Sequence, residues 1–207
     1  MVRQIIRINE SELESKCKER TLVLCKPESV ITGMFPEILQ RIQNLHYKTP
    51  LLKLFKFSEK SILDFYGQVI ENLEPIEYAT QIFMNMVNQP TLATVVEGPN
   101  SVRVIRKLTG GLPNYNLSDG EISFEGYRAK LQPMDAPMGT IRGDYSGADI
   151  EVSSTHLKNL PNFVHSSDSQ ESYLREIDVL LRNGHINEDD FVNYTRPEWK
   201  FLFGVDF

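Results

Sequence analysis

The stretch Asn162-Phe163-Val164-His165-Ser166-Ser167-Asp168-Ser169-Gln170-Glu171-Ser172-Tyr173-Leu174-Arg175-Glu176 runs from a short apolar segment into a helix start, with a single histidine at the join. Asp168 with Glu171 three residues on has the form of a capping box, and Ser167 competes as N-cap. Behind it Tyr173, Ile177, Leu180 and Leu181 recur at helical spacing and make one apolar face. Gly184 stands where such a helix stops. A strand that hands over to a helix N-terminus exposes unpaired N–H groups and positive dipole density, which together make an anion site. Beside such a site an imidazole serves as nucleophile, base or anion ligand, because its charge changes near neutral pH. The plainer role for His165 is a partly buried histidine donating to a backbone carbonyl.

The chain of 207 residues is long enough for one domain with a sizeable core, and 41% hydrophobic with 24% charged residues is ordinary for a globular protein. Lys and Arg number 22 against 28 Asp and Glu, a net charge of −6, so no global basic field draws the chain to nucleic acid. Any phosphate it binds must meet a local concentration of positive charge. Cys17 and Cys25 are the only cysteines, too few for a disulfide framework or a thiolate metal site. Cys25 closes the apolar run Thr21–Cys25 and reads as a small core residue. No apolar run is long enough to span a bilayer, and a reducing, cytoplasmic setting is the expectation.

Outward from the histidine, the elements interleave. Residues 1–20 read as a surface extension, with Asn9 and Glu12 as a capping pair. Thr21–Lys26 reads as a buried strand because its apolar residues are continuous, and Pro27 ends it. Phe35, Ile38, Leu39, Ile42 and Leu45 mark a helix, Leu51–Phe57 a second strand, and Ser58 the cap of a helix bearing Ile62, Phe65, Tyr66 and Val69. Ala79, Ile82, Phe83 and Met86 form another helical stripe. Thr91–Val96 is a third strand, and Glu97-Gly98-Pro99-Asn100 turns into a helix with Val102, Ile105 and Leu108 inward.

Residues 110–138 and 146–159 are polar insertions, and structureless stretches that long are usually functional or added to a fold. Asn187 caps a last short element with acids in its first turn and an Ile186–Phe191 staple. The tail, residues 196–207, holds Trp199, Phe201, Leu202, Phe203 and Phe207, which need a surface to cover. The domain proper is expected over 21–195, as an α+β sandwich with helices on a small antiparallel sheet.

Several polar pieces then fall into one order. Lys26-Pro27, Asp64-Phe65-Tyr66, Glu97-Gly98-x-Asn100, Arg106, Gly139-Thr140-Ile141-Arg142-Gly143-Asp144 and Asn162-Phe163-Val164-His165-Ser166-Ser167-Asp168-Ser169 closely resemble the nucleoside diphosphate kinases. The resemblance runs from about Thr21 to Tyr194. It implies a ferredoxin-like βαββαβ core and a ping-pong exchange, in which a nucleoside triphosphate such as ATP gives its γ-phosphoryl group to His165 and a diphosphate collects it. Glu176 would hold the second imidazole nitrogen, with Ser167 supporting Glu176 and the transferred group.

By the same resemblance Lys26 and Tyr66 meet the terminal phosphate, and Arg106 and Arg142 clamp the inner phosphates, a task suited to guanidinium geometry. Asn162 meets the ribose 3′-hydroxyl. Tyr78 stands where a phenylalanine usually stacks on the base, with Ile82 beside it, and stacking alone tolerates any base. Mg²⁺ would come held mainly by the nucleotide phosphates, with no direct protein ligand and Asp168 touching it through water. The family forms homo-oligomers, commonly hexamers or tetramers, and the apolar tail suits that. No membrane and no specific nucleic acid is expected as partner.

Taken singly, each residue has a simpler reading. Lys26 is a solvated lysine at a strand end, Arg142 and Asp144 a surface ion pair, Tyr66 and Tyr78 core-edge residues, and Glu176 a solvated helix residue. Their joint order favours the site. The chain also departs from the family pattern. Glu28-Ser29 replaces the usual Asp-Gly after Lys-Pro, so that turn needs a different backbone or side-chain bond. Ser166 replaces the glycine after the histidine, and Thr109 is only a candidate for the threonine of the phosphate loop. The rival readings are a catalytically weak or inactive nucleotide-binding relative and an interaction module with a vestigial site.

Overall fold

The computed structural model describes residues 17–71, 80, 83–111, 136–146, 162–194, 196 and 198–203. Four strands, β1 (Arg20–Cys25), β2 (Lys48–Lys56), β3 (Pro90–Glu97) and β4 (Val164–Ser166), form one sheet in the order β2-β3-β1-β4. Every pairing is antiparallel, with Leu24 opposite Ala93 on one side and opposite His165 on the other. The chain between them supplies α1 (Pro27–Ile31), α2 (Phe35–Gln43), α3 (Glu59–Glu71), α4 (Ser101–Thr109) and α5 (Ile141–Tyr145). After β4 come α6 (Gln170–Arg182), a 3-10 turn at Glu188–Asp190, and α7 (Glu198–Phe203). This is the expected βαββαβ α+β core.

The central strands β1 and β3 are buried along nearly their whole length, for a reason visible in the two cores. Leu22, Leu24, Ala93 and Val95 face a layer built from Ile62 and Phe65 of α3 and Tyr173, Ile177 and Leu180 of α6. Val23, Cys25, Leu92 and Val96 face the opposite layer, with Ile38 and Ile42 of α2, Ile105 of α4 and Ile141 of α5. A strand covered on both faces reads as a continuous apolar run, which is how β1 betrays itself in the sequence. The fully buried Phe57, Phe65 and Leu24 each contribute roughly 2–3 kcal/mol of transfer free energy.

Two local expectations change. The helix after His165 begins at Gln170 with Ser169 as its cap, whose Oγ accepts from Ser172 N at 3.0 Å. Asp168 instead accepts from Ser172 Oγ at 2.6 Å, so neither the Asp168–Glu171 box nor Ser167 starts the helix. In α4 the buried positions are Ser101, Ile105 and Thr109, and Val102 is only half-buried. The buried face is set by two small hydroxyl residues with partners elsewhere in the fold. Ser101 Oγ donates to Glu19 O at 2.7 Å, and Glu19 Oε1 caps the helix by accepting from Val102 N at 2.8 Å. Residues Cys17–Glu19, assigned to the extension on sequence alone, are thereby joined to the core.

Ser58 caps α3 as expected, its Oγ accepting from Ser61 N at 3.1 Å. The Asn187–Asp190 capping box forms, and Ile186 and Phe191 pack into the same core. In the tail Trp199 is wholly buried, donates Nε1 to His46 O at 2.6 Å, and lies under Lys48 Nζ. Residues 1–16, Tyr78, Ile82 and most of both insertions lie outside the described residues. Among the described residues, no helix is long and apolar enough to cross a membrane.

Candidate active site

Positions Val164, His165 and Ser166 form a three-residue edge strand, and pairing to β1 fixes which way each side chain faces. Val164 and Ser166 turn inward, while the His165 side chain keeps 17% of its surface open. Its Nε2 lies 3.1 Å from Glu176 Oε1, a hydrogen-bond separation whose angle is off line, so no hydrogen bond is formed between them. Phe65 and Tyr66 of α3 meet the imidazole edge to face, with ring centres 5.4 and 5.6 Å away. Of the two ring nitrogens, Nε2 is the one that faces the Glu176 carboxylate.

Glu176 lies on the buried face of α6, 3% exposed, so the carboxylate is affordable there only because it is bonded. Ser167 Oγ donates to its Oε2 at 2.6 Å and itself accepts from Leu22 N at 3.2 Å. Arg175 Nη1 donates to Phe65 O at 3.1 Å, tying α6 to the helix that carries Tyr66. Ser167 and Glu176 are thus hydrogen-bonded, and His165 Nε2 lies beside the same carboxylate without a hydrogen bond to it.

Arg106 and Arg142 both hang from the peptide carbonyls that flank the histidine. Arg142 Nη2 donates to Val164 O at 3.0 Å, and Arg106 Nη1 donates to Ser166 O at 2.9 Å. Asp144 leaves Arg142 for another partner: it binds Arg41 Nη1 at 2.7 Å and accepts from Gly139 N at 2.7 Å. The backbone N–H, then the guanidinium, hold its carboxyl below the usual range. Gly143 is obligatory here, because a Cβ would sit 2.2 Å from Pro137 O.

Lys26 caps β1 and is 9% exposed. Burial lowers its ammonium from 10.5 to about 8, with Arg142 pushing the same way and Glu28 opposing. Tyr66 is buried as well, and burial, helped by Glu176, raises its hydroxyl far above the ordinary value, which keeps it a phenol. Among the described residues, neither Tyr66 Oη nor Asn162 Oδ1 has a hydrogen-bond partner, though both atoms are buried. Both atoms thus keep hydrogen-bonding capacity that the described residues do not use.

Sequence reading missed the brace under this site. Glu28 Oε1 accepts from the backbone N–H of Asn162 at 3.0 Å and of Phe163 at 2.9 Å. Ser29 Oγ donates to Phe163 O, which also accepts from Lys26 N at 2.8 Å. Phe163 has φ +56°, a left-handed conformation that costs a bulky residue energy and needs such a hold. The departures Glu28 and Ser29 thus supply the side-chain bonds that the turn requires. Thr109, the candidate for the phosphate-loop threonine, has its hydroxyl wholly buried and engaged with Ser166 Oγ at 2.8 Å.

A sequence profile described as "Nucleoside diphosphate kinase" matches residues 19–186, a span that holds all four strands and every residue of the candidate site. The chain belongs to the nucleoside diphosphate kinase family. It is an enzyme, a nucleoside-diphosphate kinase that moves phosphoryl groups between nucleotides. The nucleoside diphosphate kinase of Staphylothermus marinus is 32% identical over 168 residues, 81% of this chain and 96% of that one. That of Pyrococcus abyssi is 31% identical over 192 residues, 91% of this chain and 97% of its own. Among solved structures, the nucleoside-diphosphate kinase of Borrelia burgdorferi with bound vanadate and ADP superposes with TM-score 0.69 at 23% identity, over 88% of this chain and 95% of that one. The Halobacterium salinarum kinase in complex with CDP gives 0.67 at 24% identity, over 90% and 99%. At those identities the structural likeness speaks for the fold.

Proposed function

We propose that His165 is the phosphoryl carrier of this nucleoside diphosphate kinase. The observation that carries the reading is the pair of arginines fixed to the carbonyls on either side of it, with the imidazole backed by Glu176. Nδ1 attacks the γ-phosphorus of a triphosphate in line. The N–P bond forms as the bond to the β–γ bridging oxygen breaks, and its electron pair leaves with the diphosphate. Glu176 stabilises the imidazolium through Nε2–H, and Ser167 holds Glu176. A second diphosphate then attacks with a terminal β-phosphate oxygen and returns the ring to its starting state.

Such transfer depends on positioning and dispersed positive charge more than on acid–base work. Lys26 and the Tyr66 phenol meet the transferring group, Arg106 and Arg142 hold the other phosphates, and Asn162 takes the ribose hydroxyl. The family resemblance gives Tyr78 the stacking position on the base with Ile82 beside it, and both lie outside the described residues. The cationic lining fits a phosphate chain rather than a bare cation, and no cluster of three or more metal-ligating side chains occurs among the described residues. Mg²⁺ belongs in this reading to the nucleotide, where it neutralises phosphate charge, and Asp168 reaches it through water. Ser166 does not favour an inactive relative, since its hydroxyl is engaged by Thr109.

Incubation with γ-labelled ATP tests the reading. The protein should take up acid-labile, alkali-stable label, and a different diphosphate should remove it. Protein that turns over without ever holding label would overturn it.

Charge linkage at Lys26 gives a second check. As pH rises through about 8 the empty site loses this proton, while an arriving phosphate draws it back. Nucleotide binding just above pH 8 should take up a proton, seen as a binding heat that depends on buffer ionisation enthalpy, and Lys26→Met should abolish that uptake. Equal heats in all buffers would contradict the assignment. The same shift makes folding of the empty protein more favourable as pH climbs from about 8 toward 10.5, because the unfolded lysine holds its proton longer.

The assembly belongs to the proposal too. Edge strand β2 leaves Leu52 and Leu54 57% and 58% exposed, which suits a homo-oligomer, a hexamer or tetramer, better than a lone chain. Sedimentation should give a multiple of 23.8 kDa, and a monomer at micromolar concentration would refute this. A cytoplasmic setting agrees with Cys17 and Cys25, both buried and unbridged.

A further inference from the structure

Ser166 stands next to the phosphoryl carrier at 1% exposure, and Thr109, at the end of α4, is fully buried. Their hydroxyl oxygens are 2.8 Å apart, and Thr109 Oγ1 also donates to Arg106 O at 3.1 Å. One hydrogen pattern satisfies both contacts: Thr109 donates to Arg106 O, and Ser166 donates to Thr109 Oγ1. Ser166 O meanwhile accepts from Arg106 Nη1 at 2.9 Å. Arg106 is therefore linked to the same serine at both ends, by its guanidinium directly and by its carbonyl through Thr109. Gly111 closes the other side: its N–H donates to Arg106 O at 2.9 Å, and a Cβ on it would lie 2.5 Å from Arg106 Nε.

We infer that the buried Ser166–Thr109 hydroxyl pair is a positioning device that fixes the Arg106 guanidinium beside His165 before nucleotide arrives. This rests on the reading of Arg106 as a phosphate clamp. The family's usual glycine after the histidine has no side chain with which to make the link, so the device is a property of this chain's own residues. An arginine ordered at folding loses no rotamer freedom at binding, and preorganised charge is worth more than charge that must be recruited. Removing the link leaves the guanidinium in place but unlocked. The loss should therefore fall on nucleotide capture more than on the chemical step.

Thr109→Val keeps the shape and removes the hydroxyl, whereas Thr109→Ser keeps the hydroxyl and trims a methyl. Steady-state kinetics of the full chain should show Thr109→Val and Ser166→Ala each raising KM for ATP roughly tenfold, with kcat within about threefold. Thr109→Ser should stay within about twofold of wild type, and the Ser166→Ala/Thr109→Val double variant should be no worse than the poorer single. In an Arg106→Ala background Thr109→Val should add nothing further. The inference is overturned by an unchanged KM in both hydroxyl-deleting singles, by equal losses in Thr109→Val and Thr109→Ser, or by a Thr109→Val effect that survives removal of Arg106. If Thr109→Val does not fold, Ser166→Ala alone and in the Arg106→Ala background decides the matter. Wild-type protein that never takes label from γ-labelled ATP would fail the phosphohistidine reading instead, a result distinct from all of these.

Discussion

His165→Ala should lose the acid-labile label completely and reduce nucleotide exchange by at least about 10³-fold, since covalent transfer rests on that imidazole. The fold should survive. The imidazole packs edge-on to Phe65 and Tyr66 and keeps part of its surface open, and truncating it leaves the Ser167–Glu176 bond intact. ADP affinity should change by less than about tenfold, because Lys26, Arg106 and Arg142 do not depend on the ring for their position. Their anchors are the backbone of β4 and the end of β1. The separation of label from affinity is the sharp part. A variant that binds ADP well and still takes label would place the carrier elsewhere. A variant that loses label and affinity together would make His165 a binding residue, with the chemistry unassigned.

What could be read from the sequence was whatever repeats along the chain or stands in a fixed order. The continuous apolar run of β1 announced a strand covered on both faces, and the helical stripes announced α2, α3 and α6. His165, Glu176, Arg106 and Arg142 were legible because they fall into one family's order, and the structure gathers them around β4. What escaped was every bond between a side chain and distant backbone. Glu19 caps α4 from 83 residues away, and Glu28 braces Phe163 from 135 away, and no local period encodes either. Adjacent cap candidates were equally opaque. Ser167, Asp168 and Ser169 all have cap chemistry, and Ser167 is withdrawn from the choice because Glu176 and Leu22 claim it. The buried face of α4 was set at Val102, Ile105 and Leu108 for the same reason: nothing local shows Ser101 and Thr109 turned inward until Glu19 and Ser166 are placed opposite them.

Glu28→Ala should be the most damaging change outside the chemistry itself. The carboxylate accepts two backbone N–H bonds from the turn that delivers β4, and charge-assisted bonds of this kind contribute roughly 1.5–3 kcal/mol each before allowance for Glu28's partial exposure. A net loss of about 2–3 kcal/mol lowers Tm by about 5–10 °C in a chain of this size. Phe163 then has less to keep it at φ +56° and relaxes toward ordinary backbone, carrying His165 with it. A displacement near 1 Å costs on the order of 10²-fold in transfer rate, so kcat should fall by about that factor even at temperatures where the variant stays folded. Glu28→Gln keeps one amide oxygen for the turn and should lose less on both counts. The decisive variant is Phe163→Gly in the Glu28→Ala background. Glycine accepts positive φ without the side-chain penalty, so Phe163→Gly should relieve about 1 kcal/mol of strain where Glu28 holds the turn and little where the turn has already relaxed, apart from a packing loss common to both backgrounds. Equal effects of Phe163→Gly in both backgrounds would show that Glu28 does not restrain that dihedral. The turn would then hold itself, and the brace would be only a contact.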